Sequence, residues 1–183
     1  MNKLIVLIAP SGAGKDTLAD LIFADFPEIK RLITYTTRQP RVGEQNAVDY
    51  YFVSEIEFKS MLENGELHEH YFFQDHYYGT GKKVLADTLK HGHAMTDMDI
   101  HGAEYFKKTF PELALLVFIA PPSLQALRDR LEKRGKNTEE EIQKRLKIAD
   151  EEMEWSHNCD VVIVNDNLEI AHQELKNWLI KKL

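Results

Sequence analysis

The residues with the clearest chemical potential form a short run at positions 9 to 17, Ala-Pro-Ser-Gly-Ala-Gly-Lys-Asp-Thr. Gly12 and Gly14 permit backbone conformations that side chains would block, so successive N–H groups can turn inward around phosphate oxygens. Lys15 can reach the β- and γ-phosphates, and a following helix adds the positive end of its dipole. The run predicts an ATP-binding loop made of Pro10, Ser11, Gly12, Ala13, Gly14, Lys15, Asp16 and Thr17.

Two positions of this loop depart from the usual phosphate-loop pattern. Ala9 stands in place of the first glycine, and Asp16 stands where Ser or Thr commonly meets magnesium, with Thr17 directly after it. A carboxylate can hold a metal ion directly or through water, although it also adds repulsion near a polyphosphate. We predict Asp16 and Thr17 as ligands of Mg²⁺, and Asp99 as a third candidate whose alternative role is structural.

Arginines form two further groups. Arg38 and Arg41 lie three residues apart on a proline-stiffened segment, which can point both planar guanidinium groups at one phosphate. Arg130 and Arg134 lie one helical turn apart and Arg145 lies in the next predicted helix, as expected of charges that converge on an anion when a lid closes. These groups predict an acceptor-phosphate site and a mobile lid.

Composition excludes several other classes of protein. The net charge of −7 argues against a nucleic-acid-binding protein, which usually has a basic face. The single cysteine, Cys159, cannot form an internal disulfide and is compatible with a reducing cytoplasm, where we expect the protein to act. No apolar run approaches the length of a membrane span, so we expect no membrane partner. The eight histidines show no familiar metal-ligand spacing.

Alternating elements are expected to position these side chains. Apolar runs of strand length recur along the chain, at residues 4–9, 32–36, 94–99, 115–119 and 161–164, with helical periodicity between most of them. This rhythm predicts an α/β fold with a mainly parallel sheet, helices on both faces, and ligands at the carboxyl ends of the strands. Capping boxes at Ser54 with Glu57 and at Thr138 with Glu141 predict two helix starts. Residues 37–80 interrupt the rhythm, which indicates an inserted subdomain.

The motifs together resemble the guanylate kinase family over nearly the whole chain. They are the phosphate loop, Thr-Thr-Arg-x-Pro-Arg at 36–41, Asp-Tyr-x-Phe-Val at 49–53, Tyr-Tyr-Gly-Thr at 77–80, Asp-x-Asp-x-x-Gly at 97–102 and Val-Asn-Asp at 164–166. The resemblance implies one P-loop NTPase domain. Its core is expected at about 1–33, 81–125 and 156–183, its monophosphate-binding insertion at about 34–80, and its helical lid at about 126–155.

The resemblance also implies the reaction and its residues. The reaction is transfer of a phosphoryl group from ATP with Mg²⁺ to GMP, and also to dGMP. The implied catalytic residues are Lys15, Arg38, Arg130, Arg134 and Arg145. The implied GMP-binding residues are Arg38, Arg41, Tyr50 and Tyr78 at the phosphate and Thr34, Glu69, Thr80 and Asp97 at the guanine, while Asn165 is implied near ATP.

Guanine presents N1–H and an amino group as donors, which a carboxylate such as Glu69 can accept. A buried hydrogen-bond mismatch costs about 1–3 kcal/mol, so adenine would be disfavoured. Thr34 and Thr80 replace the serines common in the family, and residues 70–76 are bulkier than its pattern. Two alternatives therefore stay open: a kinase for ribose 1,5-bisphosphate or another nucleoside monophosphate, and a non-catalytic binding module. A monomer and a homo-oligomer are both compatible with the sequence.

Overall fold

Strands and helices alternate around a central sheet. The structure is a computed structural model and describes residues 1–73, 75–133, 135 and 138–183. Within these residues the strands are β1 (Leu4–Ile8), β2 (Ile29–Arg31), β3 (Tyr35–Thr36), β4 (Tyr51–Phe52), β5 (Leu67–Phe73), β6 (His76–Gly81), β7 (His93–Asp97), β8 (Ala114–Ala120) and β9 (Val161–Val164). The helices are α1 (Lys15–Asp25), α2 (Glu55–Glu63), α3 (Lys82–His91), α4 (Ile100–Thr109), α5 (Leu124–Lys133), α6 (Glu139–Trp155) and α7 (Leu168–Lys182).

The central sheet has the strand order β2-β7-β1-β8-β9, and all of its pairs are parallel. β1 is buried on both faces, as a central parallel strand must be. Leu4, Val6 and Ile8 pack into one apolar cluster with residues of α3 and α4. Ile5 and Leu7 pack into a second cluster with residues of α1 and α7. This arrangement confirms the predicted α/β fold with helices on both faces.

A second sheet has the order β4-β3-β6-β5 and lies within residues 35–81. The prediction of one strand at 32–36 is wrong, because the chain changes sheets inside that range. The Leu32 N–H still donates to Met95 of the central sheet at 2.9 Å, whereas the Thr34 carbonyl already accepts from the Tyr51 N–H at 2.8 Å. An apolar run does not reveal where its backbone partners change.

The helix starts follow the predicted capping chemistry. Ser54 and Thr138 each begin a helix with a complete capping box, as predicted. The strand predicted at 94–99 ends at Asp97 instead, because Asp99 is the N-cap of α4 and accepts from the Gly102 N–H at 2.8 Å. In the described part of the chain, no helix has the length and apolar character needed to cross a membrane.

Candidate active site

The carboxyl ends of β1 and β7 open onto a cleft of about 680 Å³. Residues from the glycine-rich loop, from the segment after β3, and from helix α6 line this cleft. An open parallel sheet places its ligand site at this edge, so the position agrees with the topology.

The glycine-rich loop joins β1 to α1 and has the backbone that the sequence predicts. Gly12 and Gly14 have φ angles of +104° and +93°, a region that side-chain-bearing residues rarely occupy. A Cβ on Gly14 would also collide with the side-chain amide of Asn165. Across the described residues, no side chain caps α1, whose N-cap is Gly14 itself. The positive end of this helix therefore faces the cleft, as an anion site requires.

Lys15 lies between two carboxylates at the floor of the cleft. Its Nζ is 2.6 Å from Asp16 Oδ1 and 2.9 Å from Asp97 Oδ2. Burial lowers the pKa of Lys15, but the charges of Asp97 and Asp16 outweigh burial, so its pKa is raised and it remains a cation. Lys15 is thus held ready to meet a polyphosphate.

Asn165 and Arg130 brace the loop from behind. The buried Asn165 donates from Nδ2 to the Ala13 carbonyl at 2.7 Å. Arg130 on α5 donates from Nη2 to the Asn165 carbonyl at 2.7 Å and makes a longer contact of 3.5 Å from Nη1 to the Ala13 carbonyl. Both residues contact the Ala13 carbonyl of the loop, and Arg130 also contacts the backbone of Asn165, directly after β9. Neither residue lines the cleft.

Helix α6 reaches over the loop. Arg145 donates from Nη1 to Ser11 Oγ at 2.5 Å and lines the cleft. Ile142 and Ala149 bury the other side of the helix against Leu127 and Leu131 of α5, so the two helices form one packed unit. This packing places a guanidinium group over the glycine-rich loop.

Arg38 and Arg41, the two arginines predicted to bind the acceptor phosphate, differ in how firmly the protein holds their side chains. Arg38 is largely buried and forms a two-pronged ion pair with Glu44, with Nη1–Oε2 and Nη2–Oε1 distances of 2.8 and 2.9 Å. Its guanidinium carbon also lies 5.4 Å from the centre of the Tyr50 ring. Arg41 is exposed and lines the same cleft.

Aromatic rings line the part of the cleft next to Arg38 and Arg41. Tyr78 stacks on Tyr71 with ring centres 5.2 Å apart and meets the edge of Tyr50 at 6.2 Å. All three rings line the cleft. Burial raises the pKa of the Tyr50 hydroxyl, so this group is a neutral hydrogen-bond donor at physiological pH.

Glu69 and Thr80 form a pair across β5 and β6, where they are register partners. Burial raises the pKa of the Glu69 carboxyl to about 7, hydrogen bonds with Thr80 oppose this shift, and the charge of Asp99 adds to it. The Thr80 hydroxyl is buried, and among the described groups none satisfies it with full hydrogen-bond geometry. Glu69 and Thr80 stand outside the lining of the cleft, whereas Tyr71, on the same face of β5 as Glu69, lines it.

Comparison with known proteins identifies the family. The family model described as guanylate kinase matches residues 1–182. A guanylate kinase of Desulfitobacterium hafniense is 40% identical over 178 residues, which cover 97% of this chain and 88% of that protein. This chain belongs to the guanylate kinase family. A guanylate kinase of Caldanaerobacter subterraneus is 41% identical over 97% of this chain and 86% of its own length.

A solved guanylate kinase structure agrees with this assignment. The crystal structure of the enzyme from Anaplasma phagocytophilum matches with a TM-score of 0.76 and 30% identity, covering 99% of this chain and 86% of that one. Family membership confirms the predicted P-loop fold and the predicted class of enzyme, a nucleoside monophosphate kinase that uses ATP. It favours GMP phosphorylation over both alternatives that the sequence left open.

The structure gathers most of the residues expected of a guanylate kinase. Lining the cleft are residues 10–12 and 14–17 with Thr34, Arg38, Arg41, Tyr50, Tyr78, Asp97, Asp99 and Arg145. Ala13, Glu69, Thr80, Arg130 and Asn165 stand around it. Arg134 falls outside the described residues. Asp97 contacts Lys15, and Asp99 caps α4, so the guanine role of Asp97 and the metal role of Asp99 stay predictions.

Sequence reasoning overlooked residues that shape this guanylate kinase cleft. Tyr71 and Phe73 lie on one face of β5, and their alternation on that strand was the available signal. Glu152 lies two helical turns after Arg145 and also lines the cleft, a spacing that the sequence displays. Burial, together with the charges of Asp99 and Glu151, raises the pKa of Glu152 to about 7.

Proposed function

We propose that this chain transfers the γ-phosphoryl group of ATP to the phosphate of GMP, with dGMP as a second acceptor. The observation that carries the proposal is the joint lining of one cleft by two phosphate sites. Lys15 and the glycine-rich loop form the donor site, while Arg38, Arg41, Tyr50 and Tyr78 form the acceptor site. A cleft that holds two phosphates end to end suits in-line transfer between them.

The protein's contribution to this reaction is alignment and neutralisation of charge. Lys15 binds the transferred and bridging oxygens, and Arg145 approaches them from α6. The acceptor phosphate is itself the nucleophile, so no side chain has to form a covalent bond. Arg38 and Arg41 hold this phosphate in line with the donor. Arg130, which the resemblance implies as catalytic, acts as a positioning residue through the loop that it braces, and Arg134 is assigned as a further lid cation.

We assign the guanine to Glu69, with Thr34, Thr80 and Asp97 around it. An ionised Glu69 accepts hydrogen bonds from N1–H and from the amino group of guanine. These two hydrogen bonds offset the free-energy cost of burying the carboxylate. The Thr80 hydroxyl interacts with Glu69 but has no partner with full hydrogen-bond geometry among the described groups, which supports a ligand atom at this position, because a poorly satisfied buried polar group costs about 1–3 kcal/mol. Adenine lacks both donors, which favours GMP over AMP.

The residues beside Lys15 fit a magnesium ion. Asp16 and Thr17 present a carboxylate and a hydroxyl at the start of α1, and Mg²⁺ prefers such oxygen ligands. Both carboxylates also have other contacts, since Asp16 Oδ1 lies 2.6 Å from Lys15 Nζ and Asp99 Oδ1 caps α4. When bound, Mg²⁺ neutralises charge on the β- and γ-phosphates. Within the described residues no cluster of three or more His, Cys, Asp or Glu side chains could hold a metal ion, so the ATP phosphates would supply the remaining ligands.

We further propose that the chain is divided as the sequence predicts. Residues 34–80 carry the acceptor arginines and the second sheet, which supports a monophosphate-binding unit. Residues 126–155 carry Arg130 and Arg145 on the packed pair α5 and α6, which supports a lid. Because ATP and GMP are cytoplasmic metabolites, we place the reaction in the cytoplasm.

An ADP-release assay tests the proposal. Purified protein with ATP and Mg²⁺ is given GMP, dGMP, AMP, CMP, UMP or ribose 1,5-bisphosphate in separate reactions. We expect the highest kcat/KM with GMP, with dGMP next. Fastest turnover with AMP or with the sugar phosphate would reject the guanine assignment, and no turnover with any acceptor would favour the binding-module alternative.

A further inference from the structure

The guanidinium group of Arg38 is bound by the side chain of Glu44. Both terminal nitrogens of its guanidinium group donate to the two carboxylate oxygens of Glu44, at 2.8 and 2.9 Å. Nη1 also donates to the Gln39 carbonyl at 2.8 Å. The Arg38 side chain is 11% exposed and that of Glu44 is 20% exposed. Little solvent competes for this pair, so it is far more restrictive than an exposed ion pair.

Glu44 is itself held in place. Its Oε2 accepts from the Arg41 backbone N–H at 2.7 Å, and the Glu44 N–H donates to the Arg41 carbonyl at 3.0 Å. The side chain and backbone of Glu44 therefore close the turn that carries both acceptor arginines. Hydrogen bonding to Arg38 lowers the pKa of Glu44 although burial opposes it, so the carboxylate stays ionised.

The bonds to Glu44 and Gln39 leave one edge of the guanidinium group, and the Tyr78 hydroxyl, which also interacts with Arg38, would share a ligand bound there. A guanidinium group has five N–H donors in a fixed plane. Glu44 takes one from each terminal nitrogen, and Gln39 takes the second from Nη1. The remaining Nε–H and outer Nη2–H are parallel and form the side edge of the fork, which matches two oxygens of one phosphate.

We propose that Glu44 is a positioning residue that fixes Arg38 so that its side edge receives the acceptor phosphate. Glu44 also lines the cleft, but its carboxylate oxygens accept from Arg38 and from the Arg41 N–H, so we assign it an action through Arg38 and not through the substrate. The net charge of the Arg38–Glu44 pair is zero, so the exposed Arg41 supplies the uncompensated positive charge of the acceptor site. This inference rests on the proposed function, because it assumes a phosphorylated acceptor in this cleft.

If Glu44 were instead a competitor of the acceptor phosphate for Arg38, its removal would change GMP affinity in the opposite direction. A carboxylate that merely occupied Arg38 would compete with the acceptor phosphate, and its removal would tighten GMP binding. A positioning carboxylate makes binding weaker when it is removed, because a misplaced guanidinium group no longer meets two oxygens at once. The sign of the change in GMP affinity therefore decides between them.

The test measures GMP and ATP affinities, KM and kcat in wild type and in Glu44→Gln, which keeps the size of the side chain but replaces one acceptor oxygen with a donor. We expect the GMP dissociation constant and KM to rise about 10- to 100-fold, as for other residues that orient a ligand-binding group. KM for ATP should change less than about 2-fold. Glu55→Gln, which breaks an exposed pair with Lys59 on α2, is the matched control and should leave both affinities unchanged.

Two further variants separate positioning from charge and from folding. Glu44→Asp keeps the charge but shortens the side chain, so it should also weaken GMP binding; full wild-type affinity in this variant would overturn positioning. In an Arg38→Ala background, Glu44→Gln should cause a much smaller loss of GMP affinity than in wild type, because only its contact with the Arg41 turn remains to be disturbed. A loss as large as in wild type would show that the effect does not pass through Arg38 and would overturn the proposal.

The wild-type measurement separates this inference from the proposed function. If wild type binds no GMP, both fail. If wild type binds GMP while Glu44→Gln binds it equally well or more tightly, the positioning role alone is rejected and the proposed function stands.

Discussion

The donor end and the acceptor end of the cleft differ in how completely their polar groups are already matched by the protein. At the donor end, Lys15, Ser11 and the Ala13 carbonyl each have a side-chain partner. At the acceptor end, Arg38 is anchored, but Glu69 is a partly buried carboxyl with a raised pKa, and the Thr80 hydroxyl beside it has no partner with full hydrogen-bond geometry among the described groups. The protein itself holds the donor loop in place, whereas we propose that the ligand supplies the hydrogen-bond partners that the acceptor site lacks.

The largest expected effect falls on the donor end. Lys15→Ala removes the cation that meets the phosphates, and we expect kcat to fall by at least about 10³-fold, as when a preorganised charge-stabilising group is lost. The ADP-release assay measures this loss. Lys83→Ala, which breaks an exposed pair with Asp87 on α3, serves as the control. An activity within 10-fold of wild type in Lys15→Ala would contradict the donor assignment.

The next effect concerns the shape of the glycine-rich loop. Gly14→Ala places a Cβ against Asn165 at a backbone φ of +93°, so the loop must move, and we expect KM for ATP to rise by roughly 10- to 100-fold. KM for GMP should change much less. Gly65→Ala has a comparable positive φ of +66° but open space around it, so it should cost only stability, about 1–2 kcal/mol by chemical denaturation. An equal rise in KM for ATP and for GMP in Gly14→Ala would contradict the assignment of the glycine-rich loop to the donor end alone.

A smaller effect appears as a pH dependence at the acceptor end. In the proposed assignment guanine binds the ionised form of Glu69, whose carboxyl has a pKa of about 7 in the free protein. As pH falls through 7 the carboxyl takes up a proton, so GMP affinity should fall between pH 8 and pH 6, by up to about 10-fold per unit below the pKa. Calorimetric titration with GMP measures this dependence.

Glu69→Gln supplies the control for this pH profile. The variant should bind GMP more weakly at pH 8 and lose the part of the pH dependence that belongs to Glu69, retaining the part due to the GMP phosphate. ATP binding should be unaffected. An identical pH profile in the variant and in wild type would exclude Glu69 as the guanine ligand.

The smallest effect is on stability without ligand. A carboxyl whose pKa is raised by folding destabilises the folded state above that pKa, because ionisation is easier in the unfolded chain. Glu69→Gln and Glu152→Gln should therefore raise the melting temperature at pH 8, and this gain should shrink as pH falls from 7 towards 4.5. Thermal unfolding at several pH values checks this. A lower melting temperature for Glu69→Gln at pH 8 would mean that the protein, without a ligand, already stabilises the carboxylate.

The sequence predicted the donor end more completely than the acceptor end. Gly12, Gly14 and Lys15 act through local backbone geometry, and a strand followed by a helix fixes that geometry over a few residues. The capping boxes at Ser54 and Thr138 are local in the same way, and both predictions were confirmed. Features set by neighbours in sequence can be derived from sequence.

The acceptor end depends on contacts between distant segments. The change of sheet within residues 32–36 was missed, because it is decided by Met95 and Tyr51, which lie far away in the chain. The bracing of the loop by Arg130 was also missed, since a basic residue on a helix does not reveal that it faces backbone carbonyls rather than a ligand. The Glu44 partnership needed only six residues of separation, but no propensity distinguishes a carboxylate that pairs with Arg38 from a solvated one.

The most direct test of a GMP kinase whose acceptor site is completed by its ligand is a competition between acceptors. Equimolar GMP, isotopically labelled AMP and ribose 1,5-bisphosphate are mixed with limiting unlabelled ATP and Mg²⁺, so that labelled ADP made from AMP is distinguished from the ADP left by the donor, and the phosphorylated products are quantified by mass spectrometry. We predict GDP as the main product, at least about 100-fold above the phosphorylated sugar and above any ADP formed from AMP. A phosphorylated sugar, or ADP made from AMP, as the main product would contradict the account.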